Sequence, residues 1–312
     1  MNITHLLTIQ KDDLIDILKL SSTKSGSHSY LFVPEVKENK VCLVAHIDTV
    51  WDESTLPNKP KAQSTLSKKA QSTSLKQSTV GNKLLIHDTK KGLIYSPNGL
   101  GADDRAGVYG ILKLLSTIPE PNTPYVLLTD LEESGGAGAY EAVDLYREEL
   151  ANCMMFIELD RRGANDCVFY NSEHGEFTSY IESFGFVEAT GSFSDISIIA
   201  PEFERCAVNL SIGYYNEHTT KEYLNTKEME VTIGKVKKLV IHATKSGKHW
   251  AHIAPPTIYG TWGKEWADCK LQADDFLICP KCDEWMYIEE VEDNGEKCIT
   301  CNTKLDLLNV GI

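Results

Sequence analysis

At 312 residues, with 42% apolar and 24% charged residues, the chain can bury a sizeable core in one large domain, or in one large and one small domain. A formal net charge of −14 excludes a general nucleic-acid binder, whose affinity rests on neutralising phosphates with Lys and Arg. No window approaches the roughly 18 apolar residues of a membrane span, and MNITHLLTIQKDDLIDILKL lacks the apolar run and cleavage site of a signal peptide. A cytoplasmic chain without a membrane partner is expected.

In chain order, KDDLIDILKL (11–20) places Leu14, Ile15, Ile17, Leu18 and Leu20 on one broad helical face. SYLFVP and KVCLVAHI read as strands, the second an almost unbroken apolar run suited to a buried position. RAGVYGILKLLSTI is an amphipathic helix, TPYVLLTDLEE a buried strand ending in acids, and GAGAYEAVDLYREEL a second helix. CMMFIELD is a strand that again ends in acid, CAVNLSIGYY another strand, and TKEMEVTIGKVKKLVIHATK a long helix. Strands alternating with helices predict a three-layer α/β sandwich around a mostly parallel, mixed sheet. Ligands gather beyond the carboxyl ends of such strands, which is where the acids fall.

Two segments stand outside this pattern. Residues 55–80, rich in Ser, Thr, Lys and Gln with AQST occurring twice, read as a flexible low-complexity insertion. Residues 249–273 form an aromatic connector with two prolines. The nine cysteines divide similarly. Cys42, Cys153, Cys167, Cys206 and Cys269 sit at unrelated spacings and read as reduced thiols. Cys279, Cys282, Cys298 and Cys301 make two C-x2-C turns fifteen residues apart, a strong signal for one structural zinc in a ribbon over 274–312. The ribbon is too acidic to meet a phosphate backbone, so it is expected to act as a structural cap or to meet a protein partner through Trp285 and Tyr287.

Five stretches line up at strand ends: AHIDTV (45–50), GADDRAG (101–107), DLEESGG (130–136), IELD (157–160) and YYNEHTTKEYL (214–224). Singly, each is weak. Together they offer two histidines and several carboxylates, a mixed nitrogen and oxygen set suited to two zinc-like ions. Such a pair can polarise a carbonyl and activate water near neutral pH, leaving one more carboxylate to move the proton.

In these ordered motifs, from about residue 25 to 245, the chain resembles the co-catalytic dizinc exopeptidases, the aminopeptidases and carboxypeptidase/deacylases. The resemblance implies a dinuclear metallopeptidase domain over 1–248 holding two Zn (or Co or Mn) ions. His46 would be a terminal ligand of one metal, with Asp48 orienting its imidazole, and Asp103 would bridge both ions. Glu132 would be the general base and Glu133 a ligand of the second metal. Asp160 would complete the first site and His218 the second. The resemblance also implies a cis bond between Asp103 and Asp104, with Asp104 bracing the loop rather than binding metal.

The short span between Asp160 and His218 has no room for the lid domain common in the carboxypeptidase branch, which leaves a compact form closest to single-domain aminopeptidases. Glu158, Asp195 and Glu217 are candidates to hold a substrate ammonium. Arg161 and Arg162 could instead hold a carboxylate through a bidentate contact, as a carboxypeptidase or N-acyl amino acid deacylase requires, or simply make surface ion pairs. The expected substrate is a peptide or an acylated amino acid. An aminopeptidase is the leading reading. A non-catalytic peptidase-like module recruited through its ribbon is the alternative of another class, opposed by the retention of Glu132 beside all five ligands.

Overall fold

The computed structural model describes residues 2–52, 75–80 and 83–252, with the short stretches 276–278, 285–287, 295, 297 and 302–304 beyond them. The chain divides into two compact units, Met1–Ala254 and Pro255–Ile312.

An eight-stranded sheet runs through the first unit. Its strands are β1 (Lys24–Ser25), β2 (Ser29–Phe32), β3 (Lys40–His46), β7 (Tyr125–Thr129), β8 (Cys153–Arg161), β9 (Asp166–Val168), β10 (Val187–Glu188) and β11 (Ala207–Ser211), in the order β1-β2-β7-β3-β8-β11-β9-β10. The centre β7-β3-β8-β11 is parallel, while β2 runs antiparallel to β7 and β9 antiparallel to β11. All seven residues of β3 are buried, as expected for a strand covered on both faces.

Alternation along the strands feeds two cores. Leu43, Ala45, Met155, Ile157 and Leu159 face one side, where they meet α2 (Lys11–Ser21), α3 (Ala102–Thr117), α6 (Gly175–Glu182) and α8 (Thr226–Ser246). Cys42, Val44 and Phe156 face the other, beneath α4 (Ala137–Leu145), α5 (Arg147–Leu150) and α7 (Asp195–Glu202). A short α1 (Ile3–Leu6) adds Leu6 to the first core. Helix α8 buries Met229, Ile233, Val236, Val240 and Ala243 along one stripe. Asn225 accepts the Lys227 and Glu228 amides at its start, a cap worth about 1 kcal/mol, and Gly247 at φ 62° ends it. Cys42, Cys153, Cys167 and Cys206 are buried free thiols, whereas Cys269 lies outside the described residues.

A second, antiparallel sheet has the order β12-β13-β6-β5-β4, from β4 (Leu75–Val80), β5 (Lys83–Asp88), β6 (Leu93–Tyr95), β12 (Tyr214–Tyr215) and β13 (Tyr223–Asn225). The structure corrects three expectations. The last six residues of the expected insertion 55–80 are strand β4, paired along its length with β5, while 55–74 lie outside the described residues. CAVNLSIGYY is two strands, because Gly213 at φ 94° turns the chain out of the first sheet and into the second. The helix expected over GAGAYEAVDLYREEL breaks at Tyr146, whose buried ring lies in the second core and whose hydroxyl donates to the Ser29 carbonyl. The structure also carries the first unit past residue 248: Trp250 donates its amide to Met154 and accepts from Cys206, and its ring stacks on Tyr180 at 4.9 Å.

In the second unit, β14 (Phe276–Ile278) pairs antiparallel with β15 (Trp285–Tyr287). Cys279, Cys282, Cys298 and Cys301, with most of the expected ribbon and connector, lie outside the described residues.

Candidate active site

The carboxyl ends of three neighbouring parallel strands deliver most of the site. His46 closes β3, Thr129 closes β7 just ahead of Glu132, and Asp160 lies near the end of β8. Helix α3 begins at Ala102 and presents Asp103. His218, at φ 60°, stands in the hairpin between β12 and β13, whose register is pinned by Tyr215 stacked on Tyr223 at 5.0 Å. The peptide bond between Asp103 and Asp104 is cis.

These side chains converge on Asp103. Its Oδ1 lies 3.1 Å from His46 Nε2 and its Oδ2 lies 3.2 Å from His218 Nε2. The first imidazole is also 3.4 Å from Asp160 Oδ1, and the second is 3.1 Å from Glu133 Oε2. Donor atoms held by one tetrahedral cation at about 2.0–2.1 Å stand about 3.3 Å apart, so both sets of separations suit such an ion, with one carboxylate shared between them. Donor atoms of His46, Asp103 and Glu133 also fall within 4.8 Å of one another, as do those of His46, Asp104 and Asp160. Asp104, however, is engaged elsewhere: Oδ2 accepts the His46 amide at 3.3 Å and Oδ1 accepts the Gly107 amide at 3.0 Å.

The electrostatics call for cations. Burial pushes Glu132 up to about 9; His46 offsets this in part, while Asp160, Asp195 and Glu133 add like charge. Burial, then Asp103, carries Asp160 to about 7, and burial carries Asp195 to about 6. Burial and neighbouring acids hold Asp104 and Glu158 well above the usual carboxylate range. Burial works against charging His46, but Asp160, Asp103 and Asp48 outweigh it and hold its pKa well above the ordinary histidine value. Hydrogen bonds to Asp103 and Glu133 raise His218 to about 11. Carboxylates outnumber imidazoles in this cluster, and divalent cations on the His46 and His218 sides of Asp103 would neutralise the excess.

Glu132 and Glu133 differ in direction. They sit on a 3-10 turn, Glu132–Ser134, entered through Leu131 at φ 68°. Glu133 faces His218, whereas Glu132 Oε2 stops 3.9 Å short of His46 Nε2. Asp48 ties this turn to β3. Its Oδ1 accepts the Glu132 amide and its Oδ2 the Glu133 amide, each at 3.2 Å, while His46 Nδ1 lies 3.3 Å from Oδ1.

The two arginines differ. Arg162 Nη1 donates to Glu217 Oε1 at 2.9 Å, whereas Arg161 Nε lies 3.9 Å from Asp166 Oδ2 and is buried without a hydrogen-bond partner. Asp195 begins α7; its Oδ2 accepts from Thr129 Oγ1, and its buried Oδ1 has no hydrogen-bond partner. Both Glu158 oxygens are buried without a partner as well.

Several supporting residues escaped the sequence reading. Asn209 accepts the Asp160 amide at 2.9 Å and donates to the Asp160 carbonyl at 3.0 Å, and Tyr214 donates to Asp160 Oδ1 at 3.1 Å. A polar residue inside the apolar run CAVNLSI was the available signal for Asn209. Glu222 accepts the amides of Gly101, Ala102 and Asp103, a role that no local pattern marks.

No family model and no curated protein matches the sequence. Among solved structures, the chain is similar to aminopeptidase PepT from Bacillus cereus, at 14% identity and TM-score 0.52 over 78% of this chain and 97% of that one. It is similar to a tripeptidase from Staphylococcus aureus at 14% identity and TM-score 0.53, with the same coverage. At such identity the likeness establishes architecture, and the chain has the zinc-exopeptidase-like fold that its motifs imply.

Proposed function

We propose that the protein is a metal-dependent aminopeptidase working through a dinuclear centre. The observation that carries this reading is Asp103, whose two carboxylate oxygens each face a different imidazole within 3.2 Å. His46, Asp103 and Asp160 would hold one ion, and His218, Asp103 and Glu133 the other. Zinc, cobalt or manganese suits this donor set. Bound there, the pair supplies Lewis acidity to the scissile carbonyl and lowers the pKa of attacking water.

The chain's own groups do the rest. Glu132 accepts the proton of the attacking water and returns it to the leaving nitrogen, a role open to a carboxylate that stands beside the donor sets without completing either. Asp48 holds His46 in one tautomer and fixes the turn that aims Glu132. Asp195 and Glu158 offer buried carboxyl oxygens without hydrogen-bond partners for a substrate ammonium, while Arg162 is occupied by Glu217. That balance favours a free amino terminus over a free carboxylate. In the ribbon, Cys279, Cys282, Cys298 and Cys301 would hold a third, structural zinc whose binding supplies folding energy.

A substrate panel tests the assignment. A free-amine aminoacyl anilide should be hydrolysed, and an N-acetyl amino acid and an N-blocked peptide should not. Cleavage of the N-acetyl amino acid alone would move the assignment to a deacylase. Metal-loaded protein inert to all three would identify a binding module.

A further inference from the structure

Glu222 is a charged residue buried at 1% exposure, and its carboxylate is the acceptor for four donors. Oε1 accepts the amides of Ala102 at 2.7 Å and Asp103 at 3.1 Å, and Oε2 accepts the Gly101 amide at 2.8 Å and Trp51 Nε1 at 3.2 Å. The three amides are consecutive, and Gly101 at φ 66° turns the first of them toward the same point. Glu222 stands in the β12–β13 hairpin that carries His218, and its own amide donates to the Thr219 carbonyl at 3.1 Å within that loop. One loop therefore sends an imidazole to Asp103 Oδ2 and a carboxylate to the backbone that presents Asp103.

We propose that Glu222 is a positioning residue that fixes the distance between Asp103 and His218, and through it the affinity of the His218-side cation. The inference rests on the dinuclear reading above. Each Glu222 oxygen serves two donors, so even isosteric glutamine can satisfy only one pair and must turn its NH2 group toward the other. Charge-assisted bonds are also lost. The His46 side is held independently, by Asp48 on β3 and by Asn209 and Tyr214 around Asp160.

Equilibrium dialysis of the full chain against Zn2+, with metal per chain measured, tests this on wild type, His218→Ala, Glu222→Gln and the double variant. If the dinuclear reading holds, His218→Ala carries one ion fewer than wild type; no difference between these two refutes that reading, not this one. Given that difference, Glu222→Gln should bind the same ion about 10–100-fold more weakly, the range for residues that support metal ligands. The double variant should lose no more than His218→Ala alone. Wild-type affinity in Glu222→Gln, or loss of both ions in a folded protein, would overturn the proposal. Should Glu222→Gln fail to fold, Trp51→Phe removes one of the four donors and leaves the carboxylate. It should weaken the same ion and spare the His46 side, and unchanged zinc binding there would be equally contrary.

Discussion

Asp48→Asn separates a positioning role from a merely structural one. Asp48 is 3% exposed, so water cannot replace a lost partner. Its Oδ1 serves the Glu132 amide at 3.2 Å and His46 Nδ1 at 3.3 Å, and its Oδ2 serves the Glu133 amide at 3.2 Å. Asparagine has one acceptor end. With its oxygen on the Oδ1 side, the NH2 group meets the Glu133 N–H, and the turn carrying Glu132 is released. Reversed, it meets the Glu132 N–H and leaves His46 Nδ1 only the main-chain carbonyl of residue 48, at 3.1 Å. Either way at least one hydrogen bond to a charged group is lost, worth about 1.5–3 kcal/mol. Realised in the transition state, that is a fall of about 10–150-fold in kcat/KM. Steady-state hydrolysis of a free-amine anilide, with circular dichroism to verify the fold, measures it. A folded Asp48→Asn protein within threefold of wild-type activity would refute the reasoning.

The other expectations concern stability and metal. A Cβ on Gly107 would lie 2.0 Å from the Leu159 carbonyl oxygen and 2.4 Å from Asp104 Oδ1, so Gly107→Ala should destabilise by about 3 kcal/mol or more in chemical denaturation. Glu141 accepts the Ser27 and His28 amides at 2.8 Å each and Ser29 Oγ at 2.6 Å. Burial opposes its ionisation, but these bonds prevail and lower its pKa below 4.5. Its stabilisation is therefore complete above the unfolded value and lost as pH falls through the lower folded one. Glu141→Gln should cost about 1–3 kcal/mol at neutral pH, with the gap to wild type closing in acid; a pH-independent gap would contradict this. Treatment with a chelator should abolish hydrolysis, and adding back Zn2+ or Co2+ should restore it.

The central sheet was legible because its strands are long apolar runs and its helices carry a 3.6-residue stripe, as in KVCLVAHI and TKEMEVTIGKVKKLVIHATK. The second sheet was not, since strands such as Leu93–Tyr95 are three residues long and pair with segments far along the chain. Tyr146 broke a helix for tertiary reasons that its local sequence does not record. At the site, the candidate metal-binding residues could be proposed in order because they fall at strand ends, whereas Asn209, Tyr214 and Glu222 act across distances of 49 to 121 positions in the chain. The arginines of LDRRG show the reverse problem. Sequence offered them to substrate or to solvent ion pairs, and only the position of Glu217, 2.9 Å from Arg162, assigns that arginine to an ion pair.

Glu132→Gln, compared with wild type for both metal content and turnover, tests the central claim most directly. Glu132 Oε2 approaches His46 Nε2 only to 3.9 Å and is not needed to complete either donor set. The variant should therefore bind the same number of ions per chain while hydrolysing the free-amine anilide about 100- to 10,000-fold more slowly. Near wild-type turnover, or loss of a site ion together with activity, would contradict the assignment of Glu132 as the base.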